Sequence, residues 1–230
     1  RALIEAAIRG GVRRFIFSST AAVYGNPARV PVFEDDPTIP LSPYGWSKLM
    51  TEIMLRDAAA AHGLRHVILR YFNVAGADPR MRTGLSTAGA THLIKVAVEA
   101  ALGRRERIDV FGTDYPTPDG TCIRDYIHVD DLASAHIAAL NHLLSGGPSD
   151  VFNAGTGQGF SVKEVVETVE KITGQKVPYT MGPRREGDPA QLIANSTKLR
   201  QTLGWQPQFD TLESIIESAW LFESSTPPTR

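Results

Sequence analysis

The sequence of 230 residues has a single cysteine, Cys122, so it cannot form an internal disulfide. A chain without disulfides suits a reducing compartment, and we expect a cytoplasmic protein. The 24 Lys and Arg residues nearly balance the 25 Asp and Glu residues, so the basic excess that attracts nucleic acid or an anionic membrane is absent. No apolar run approaches the ~20 residues of a membrane span. We therefore expect neither a nucleic acid nor a membrane as a partner.

Two further absences concern ligand binding. The histidines share no metal-ligand spacing, so we expect no metal site. The sequence also lacks a Gly-x-Gly-x-x-Gly turn, which cradles the pyrophosphate in dinucleotide-binding folds. We interpret the glycine-rich residues 155–159 as a turn that leads into a helix.

The first residues give the expectation that the natural protein extends upstream and that this chain is an N-terminally truncated fragment. Residues 1–9 have the apolar stripe of a helix, but they include no initiator methionine and no N-cap residue. We expect a missing segment on the order of one hundred residues, which is the scale of a few βαβ units. Without a glycine-rich turn, we expect residues 1–230 alone not to bind a dinucleotide tightly.

A polar pattern between residues 15 and 48 predicts acid–base chemistry. An apolar Phe-Ile-Phe run ends in three hydroxyl residues at 18–20, and a Ser-Pro helix start precedes Tyr44. Tyr44 and Lys48 are four positions apart, so on a helix their side chains lie on the same face. A free tyrosine has a pKa of ~10, and a nearby ammonium lowers the pKa of a phenol. The pattern favours a proton-transfer pair beside a hydride acceptor, although a solvated helix face gives the same spacing.

A strand over residues 12–19, a helix over 44–62 and a strand over 65–71 form a βαβ unit, which predicts an α/β fold with a parallel sheet. Ligands of such sheets bind at the carboxyl ends of the strands, where Phe72 and Asn73 follow the second strand. Farther along, we predict helices at 91–102, 129–144, 162–173, 197–203 and 212–222, short strands at 107–111, 150–154 and 177–180, and a disordered tail at 224–230.

Five blocks resemble the extended short-chain dehydrogenase/reductase family and, within it, the UDP-glucose 4-epimerases. In the family's order, they are FIFSSTAAVYG (15–25), SPYGWSKLMTE (42–52), LRYFNVAGA (69–77), DYPTPDGTCIRDYIHVDDLA (114–133) and PRREGDP (183–189). The resemblance implies a Rossmann-type parallel sheet, lacking its first βα units, with a smaller α/β cap for the UDP-sugar. Residues 1–75 would be the remnant of the NAD-binding domain and residues 76–230 mainly the cap, interleaved with Rossmann elements around 109–155.

The resemblance also implies roles for individual residues. Catalysis would rest on Tyr44, Lys48 and Thr20. The cofactor NAD would contact Ser18, Tyr44, Lys48, Tyr71 and Phe72. The UDP-sugar would contact Thr20, Asn73, His92, Leu93, Asp109, Val110, Phe111, Arg124, Arg185, Asp188 and Leu192. Taken alone, the Arg-Arg-Glu run at 184–186 is better explained by a solvated loop with surface ion pairs.

The implied activity is that of an isomerase of galactose metabolism. It oxidises UDP-glucose or UDP-galactose at C4 with NAD, lets the 4-keto sugar rotate and returns the hydride to the other face. Ala21 and Ala22 stand where related dehydratases have an Asp-Glu pair, which disfavours dehydration because methyl groups transfer no proton. The alternatives are another nucleotide-sugar 4-epimerase, acting on UDP-N-acetylglucosamine or a UDP-pentose, and a non-catalytic UDP-sugar-binding remnant.

Two residue patterns bear on specificity and assembly. Leu192 stands where bulky aromatics in the resembling family exclude N-acetylated sugars, so the resemblance implies that an acetamido group is admitted here. The pattern alone equally indicates that Leu192 begins an apolar strand over residues 192–194. The helix over 44–62 carries Met50, Met54 and Leu55 beyond what one core-facing stripe requires. Such helices form a two-fold interface in the resembling family, so we expect a homodimer.

Overall fold

The computed structural model describes residues 1–226 of the chain. The helices in this range are α1 (Ala2–Arg9), α2 (Pro43–His62), α3 (Leu93–Ala101), α4 (Val129–Leu144), α5 (Val162–Thr173), α6 (Thr197–Leu203) and α7 (Leu212–Ser225). The strands are β1 (Arg14–Thr20), β2 (Arg65–Tyr71), β3 (Asn73–Ala75), β4 (Ile108–Phe111), β5 (Ile123–His128), β6 (Asp150–Ala154), β7 (Gly159–Ser161), β8 (Tyr179–Gly182) and β9 (Gln191–Leu192). Of the predicted disordered tail, residues 224–225 close α7, so the prediction was wrong there, and residues 227–230 lie outside the described residues.

The main sheet confirms the predicted βαβ unit. Strands β1, β2 and β6 are all parallel and lie in the order β1-β2-β6. Thr20 pairs with Tyr71, and Tyr71 pairs with Ala154, so the three strands end at the same edge. Apolar side chains of α1 and α2 pack on one face of this sheet, and those of α4 pack on the other.

A second set of short strands lies beyond the main sheet. Strand β5 pairs with β3 and β9 in parallel and with β7 in antiparallel orientation, while β4 pairs with β8. The sequence patterns missed β3, β5 and β7, and they placed β8 two residues too early. Helices α3, α5 and α7 cover this region with a common apolar core. The chain then returns to the main sheet through β6, so the two regions interleave, and the boundary between residues 75 and 76 stays a prediction.

The outer face of α2 differs from the predicted one. Leu55 is fully buried, and Met54 packs against the core beneath the helix. The exposed apolar residues are Trp46, Met50 and Ile53, each about half exposed. Because these three recur at spacings of four and three, they form a single stripe on the solvent side of α2.

A buried network of polar side chains joins α2 to the strand ends. The carboxylate of Glu52 accepts hydrogen bonds from Arg70 at 2.7 and 3.0 Å and from the Ser19 hydroxyl at 2.5 Å. Arg70 also donates to the hydroxyl of Tyr24, which donates to the Asn153 side chain at 2.7 Å. Burial raises the pKa of Tyr24 to about 12, so this hydroxyl stays a hydrogen-bond donor at neutral pH. The network fixes α2 against both β1 and β2.

We expect Glu52→Gln to lower the free energy of unfolding by about 3 kcal/mol, because it leaves the buried Arg70 cation without its counter-charge. Urea denaturation followed by circular dichroism measures this difference. The matched control is Glu5→Gln, which removes an ion pair between exposed Arg1 and Glu5 side chains and should leave the midpoint unchanged. Equal stability of Glu52→Gln and the unaltered protein would contradict the assignment of this pair as a structural anchor.

Within residues 1–226, no helix is both long enough and apolar enough to cross a membrane. In the same part of the chain, no group of three or more His, Cys, Asp or Glu side chains has an arrangement that would hold a metal ion.

Candidate active site

The start of α2 lies against the residues that follow β1. Ser42 caps the helix by accepting a hydrogen bond from the Gly45 amide at 3.1 Å, and Pro43 occupies its first turn. A Cβ atom at position 45 would lie 2.7 Å from the carbonyl oxygen of Ala22, which is too close for a side chain. Glycine at this position therefore allows the helix to approach the end of β1, and the approach brings Tyr44 beside that end of the sheet.

The predicted pair of Tyr44 and Lys48 comes together in the fold. The Lys48 ammonium nitrogen lies 5.8 Å from the centroid of the Tyr44 ring and donates a hydrogen bond of 2.9 Å to the backbone carbonyl of Ser18. The same nitrogen lies 5.2 Å from the Phe17 ring. Tyr44 is about half exposed, so its phenol is accessible to a ligand. The hydrogen bond to Ser18 thus holds the ammonium beside the Tyr44 ring.

Tyr44 opens onto a cavity of about 420 Å³ at the carboxyl ends of β1 and β2, here named the tyrosine cavity. Its lining includes Thr20, Ala21, Ala22, Tyr44, Tyr71, Phe72, Asn73, His92, Arg124, Asp188 and Leu192. The Thr20 hydroxyl accepts a hydrogen bond from the Ala22 amide at 3.2 Å, so its own proton remains available. Ser18 and Lys48 do not line the cavity, but lie beneath it.

A second cavity of about 370 Å³, here named the arginine cavity, adjoins the first. Its lining includes Asn73, His92, Leu93, Asp109, Val110, Phe111, Arg124, Arg185 and Asp188. The two cavities share Asn73, His92, Arg124 and Asp188. Every residue predicted to contact a UDP-sugar therefore lines one cavity or both, and together they provide a continuous site for a ligand with two ends.

Four arginines line the arginine cavity, and two of them, Arg105 and Arg107, form ion pairs with Glu99 and Glu106. The Arg185 guanidinium stacks on the Phe111 ring, with 3.8 Å between the guanidinium carbon and the ring centroid. Arg124 lies 3.3 Å from a carboxylate oxygen of Asp188 and also donates to the Ile123 carbonyl. Within residues 1–226, Arg185 forms no ion pair, so its planar donors are free to bind an anion.

The sequence patterns missed Asp125, which follows Arg124 and supports the site. Its buried carboxylate accepts hydrogen bonds from the amides of Thr156, Gly157 and Ala194 at 2.9, 2.9 and 3.1 Å. Burial raises the pKa of Asp125 to about 6, while these hydrogen bonds act in the opposite direction. A Cβ atom at position 155 would lie 2.6 Å from this carboxylate, so the glycine-rich turn surrounds a protein carboxylate. The sequence signal for this supporting role was limited to two adjacent charges, Arg124 and Asp125, which the structure places in β5.

The main sheet and its edge define a class of protein. Parallel strands end beside a Tyr-Lys pair and an adjoining cavity that carries arginines, and parallel strands with helices on both faces are the arrangement of a Rossmann-type α/β protein. The chain belongs to the NAD dependent epimerase/dehydratase family, whose model matches residues 1–155.

Similar proteins agree with this family. A UDP-glucose 4-epimerase of Azospirillum brasilense is 61% identical over 223 residues, which are 97% of this chain and 64% of that protein. The crystal structure of the UDP-glucose 4-epimerase of Bifidobacterium longum, in complex with NAD+ and UDP, matches with a TM-score of 0.93 at 39% identity, covering 98% of this chain and 68% of that one. A UDP-Glc/GlcNAc 4-epimerase of Campylobacter jejuni matches with a TM-score of 0.79 at 52% identity, covering 97% and 68%. The chain thus spans 64% to 68% of the length of these relatives.

Proposed function

We propose that the protein interconverts UDP-glucose and UDP-galactose. The observation that carries the proposal is the wall shared by the two cavities. It joins the Tyr44 phenol of the tyrosine cavity to the stacked arginine and aromatic groups of the arginine cavity. A nucleoside diphosphate sugar has the matching ends, since its diphosphate is anionic and its sugar carries the hydroxyl that loses a proton. The relatives named UDP-glucose 4-epimerase support the same choice.

The arginine cavity would hold the nucleotide end. Arg185 and Arg124 offer planar donors that match diphosphate oxygens, and Asn73 stands between them and the tyrosine cavity. The side chain of Asp109 accepts a hydrogen bond from Thr180 at 2.6 Å, which fixes the strand β4 along the cavity wall. Backbone groups of β4 and the Phe111 ring would then face the uracil.

The residues at the ends of β1 and β2 fit the nicotinamide end of NAD. Tyr71 and Phe72 give the tyrosine cavity aromatic walls, and Lys48 is fixed beside the strand end where a ribose hydroxyl would lie. NAD, when bound, accepts the hydride from C4 of the sugar and later returns it. None of the residues 1–230 forms a Gly-x-Gly-x-x-Gly turn, so the fit concerns the nicotinamide end alone.

The chain's own groups would move the proton at O4. Tyr44, acting as a phenolate beside the Lys48 ammonium, takes the proton directly or through the Thr20 hydroxyl. The same phenol returns the proton after the keto sugar has turned. Ala21 and Ala22 line the cavity with methyl groups, so these two positions provide no acid–base pair for dehydration.

The test uses the complete product of the gene, since this chain spans about two thirds of its relatives' length. Incubated with UDP-galactose and NAD, it should form UDP-glucose until the two sugars reach equilibrium, as followed by anion-exchange chromatography. Tight UDP binding without conversion would instead support the alternative of a non-catalytic UDP-sugar-binding protein.

The second candidate substrate is a UDP-N-acetylated sugar. Leu192 is buried and packs with Ala21, Val23 and Phe72 on the wall of the tyrosine cavity. Leucine offers no hydroxyl and occupies less volume than an aromatic ring, which leaves room beside C2 of the sugar. The Campylobacter jejuni relative is named for both UDP-Glc and GlcNAc.

We expect Leu192→Tyr to lower kcat/KM for UDP-N-acetylgalactosamine by about tenfold, or roughly 1.4 kcal/mol, because the ring would fill the space of the acetamido group. The same variant should keep its kcat/KM for UDP-galactose, which serves as the internal control. If the unaltered protein already rejects the N-acetylated sugar by more than about a thousandfold, roughly 4 kcal/mol, Leu192 is not the open position that we infer.

We also propose a homodimer that acts in the cytoplasm. The exposed stripe of Trp46, Met50 and Ile53 on α2 supports self-association, because a two-fold axis would bring the same stripe from both copies together. The single buried cysteine, Cys122, suits a reducing compartment.

A further inference from the structure

His92 lies on the wall shared by the tyrosine cavity and the arginine cavity. Asn73, Arg124 and Asp188 are the other residues named above that line both cavities. Histidine is the side chain whose ordinary change of charge falls between about pH 5 and pH 8. The place where the two cavities meet therefore carries a group whose charge depends on pH in the neutral range.

The ring of His92 is not used to cap the helix that it precedes. His92 is the N-cap residue of α3, and its backbone carbonyl accepts a hydrogen bond from the Val96 amide at 3.0 Å, but its side chain makes no capping hydrogen bond. His128 holds the same position before α4, and there the ring accepts a hydrogen bond from the Asp130 amide at 3.1 Å. Because His92 is also exposed, its ring is accessible to a ligand.

A UDP-sugar in the proposed orientation brings its diphosphate to this shared wall. The sugar would lie beside Tyr44 in the tyrosine cavity, and the nucleoside would lie along β4 in the arginine cavity. The diphosphate joins these two ends, so it falls where the cavities meet. An anion at this place would face the guanidinium of Arg124 and the ring of His92 together.

The charged side chains around His92 have partners of their own. Those that line the cavities with it form the ion pairs Lys95–Glu223 at 2.5 Å, Arg124–Asp188 at 3.3 Å, Arg105–Glu99 at 3.1 Å and Arg107–Glu106 at 2.9 Å. The further charged groups of the lining are Asp109, Arg185 and Glu186. Carboxyl groups ordinarily titrate near pH 4 and guanidinium groups above pH 12, so their charges stay fixed between pH 6 and pH 8.

The other titratable groups of the lining are phenols and a thiol. They are Tyr44, Tyr71, Tyr126 and Cys122. Such groups ordinarily lose their proton above pH 8. Burial raises the pKa of Tyr71, of Tyr126 and of Cys122 further. Among the described residues of the lining, His92 is thus the one suited to exchange a proton near neutral pH.

We propose that His92 contacts the diphosphate of the ligand and takes up a proton from solvent as the ligand binds, so that the affinity for a UDP-sugar rises as the pH falls. The contact rests on the proposed function, because it requires a diphosphate at the shared wall. An anion beside an imidazole favours its protonated form. The diphosphate bridge of a UDP-sugar carries no terminal phosphate that titrates in this range, so the change of charge belongs to the protein.

The test is calorimetric titration of the complete gene product with UDP-glucose, in the Tyr44→Phe background so that the ligand is not converted. Titration in two buffers of different ionisation enthalpy measures the protons taken up on binding. We expect uptake of about half a proton at pH 7 and a Kd that is about fivefold lower at pH 6 than at pH 8, as for a histidine whose titration midpoint shifts by about one pH unit.

His92→Asn and His92→Gln keep a polar side chain but cannot gain a proton in this range. Both should bind UDP-glucose without proton uptake and with a Kd that no longer depends on pH. The matched control is His62→Asn, which alters an equally exposed histidine at the end of α2 and should keep both effects.

A Kd that is independent of pH in the Tyr44→Phe background would overturn the proposal. Proton uptake that persists in both His92 variants would equally overturn it and would direct attention to Asp125, whose pKa burial raises to about 6. Proton-linked binding in a protein that does not convert UDP-galactose would count against the proposed function alone. A complete protein that binds no UDP-glucose would overturn both.

Discussion

Tyr44→Phe is expected to lower the rate of UDP-galactose epimerisation by at least about 10³-fold while leaving UDP affinity nearly unchanged. The substitution removes the one ionisable oxygen that opens onto the tyrosine cavity from α2. The residues assigned to UDP lie in the arginine cavity, so the nucleotide should bind as before. Turnover measured with the complete gene product and calorimetric titration with UDP separate the two effects.

The useful control is Tyr71→Phe, which removes the neighbouring phenol and keeps Tyr44. It should retain much more turnover than Tyr44→Phe, because Tyr71 lines the cavity but is not assigned as the base. Preserved turnover in Tyr44→Phe together with a loss of UDP affinity would show that the base is assigned to the wrong residue.

Lys48→Met should lower turnover by about 10²-fold or more and move the acidic limb of the pH–rate profile to higher pH. The ammonium lies 5.8 Å from the Tyr44 ring centroid, and its loss leaves the phenolate without a stabilising charge. Methionine retains an unbranched chain that can still pack on Phe17, so the fold should be kept.

Lys48→Arg separates charge from shape in this position. It keeps the positive charge but replaces a compact ammonium by a planar fork, so the acidic limb should move less than in Lys48→Met. An identical pH–rate profile in Lys48→Met and the unaltered protein would rule out an electrostatic role for Lys48.

The sequence predicted well those parts of the fold that local signals specify. Helix α2 has a Ser-Pro start and ends at Gly63, which adopts a left-handed conformation, and both signals can be read without a structure. Strand β5 was missed because Arg124 and Asp125 interrupt its apolar pattern. The tertiary structure accommodates both charges, since Arg124 lines the arginine cavity and Asp125 accepts hydrogen bonds from backbone amides.

The residues of the candidate site likewise divide into those that the sequence could indicate and those that only the tertiary structure brings together. The family resemblance selected residues that the fold does bring together around two adjoining cavities, although binding by them stays a proposal. The contact between His136 and Ser18 could not be predicted, because the two residues are 118 positions apart and meet only once α4 packs on β1. Contacts between side chains so far apart in the chain produce no recognisable spacing in the sequence.

The interleaving of the chain has a consequence for the order in which the molecule is made. Strand β6 pairs with β2 across almost eighty intervening residues, so the main sheet cannot be completed before residue 154 is available. The buried carboxylate of Asp125 accepts a hydrogen bond from the amide of Ala194, so this contact forms only after residue 194 has been synthesised. Closing such long loops costs entropy before any pairing compensates, which slows folding. During synthesis, the edge of the main sheet beside Tyr44 therefore becomes a single surface only after most of the chain has left the ribosome.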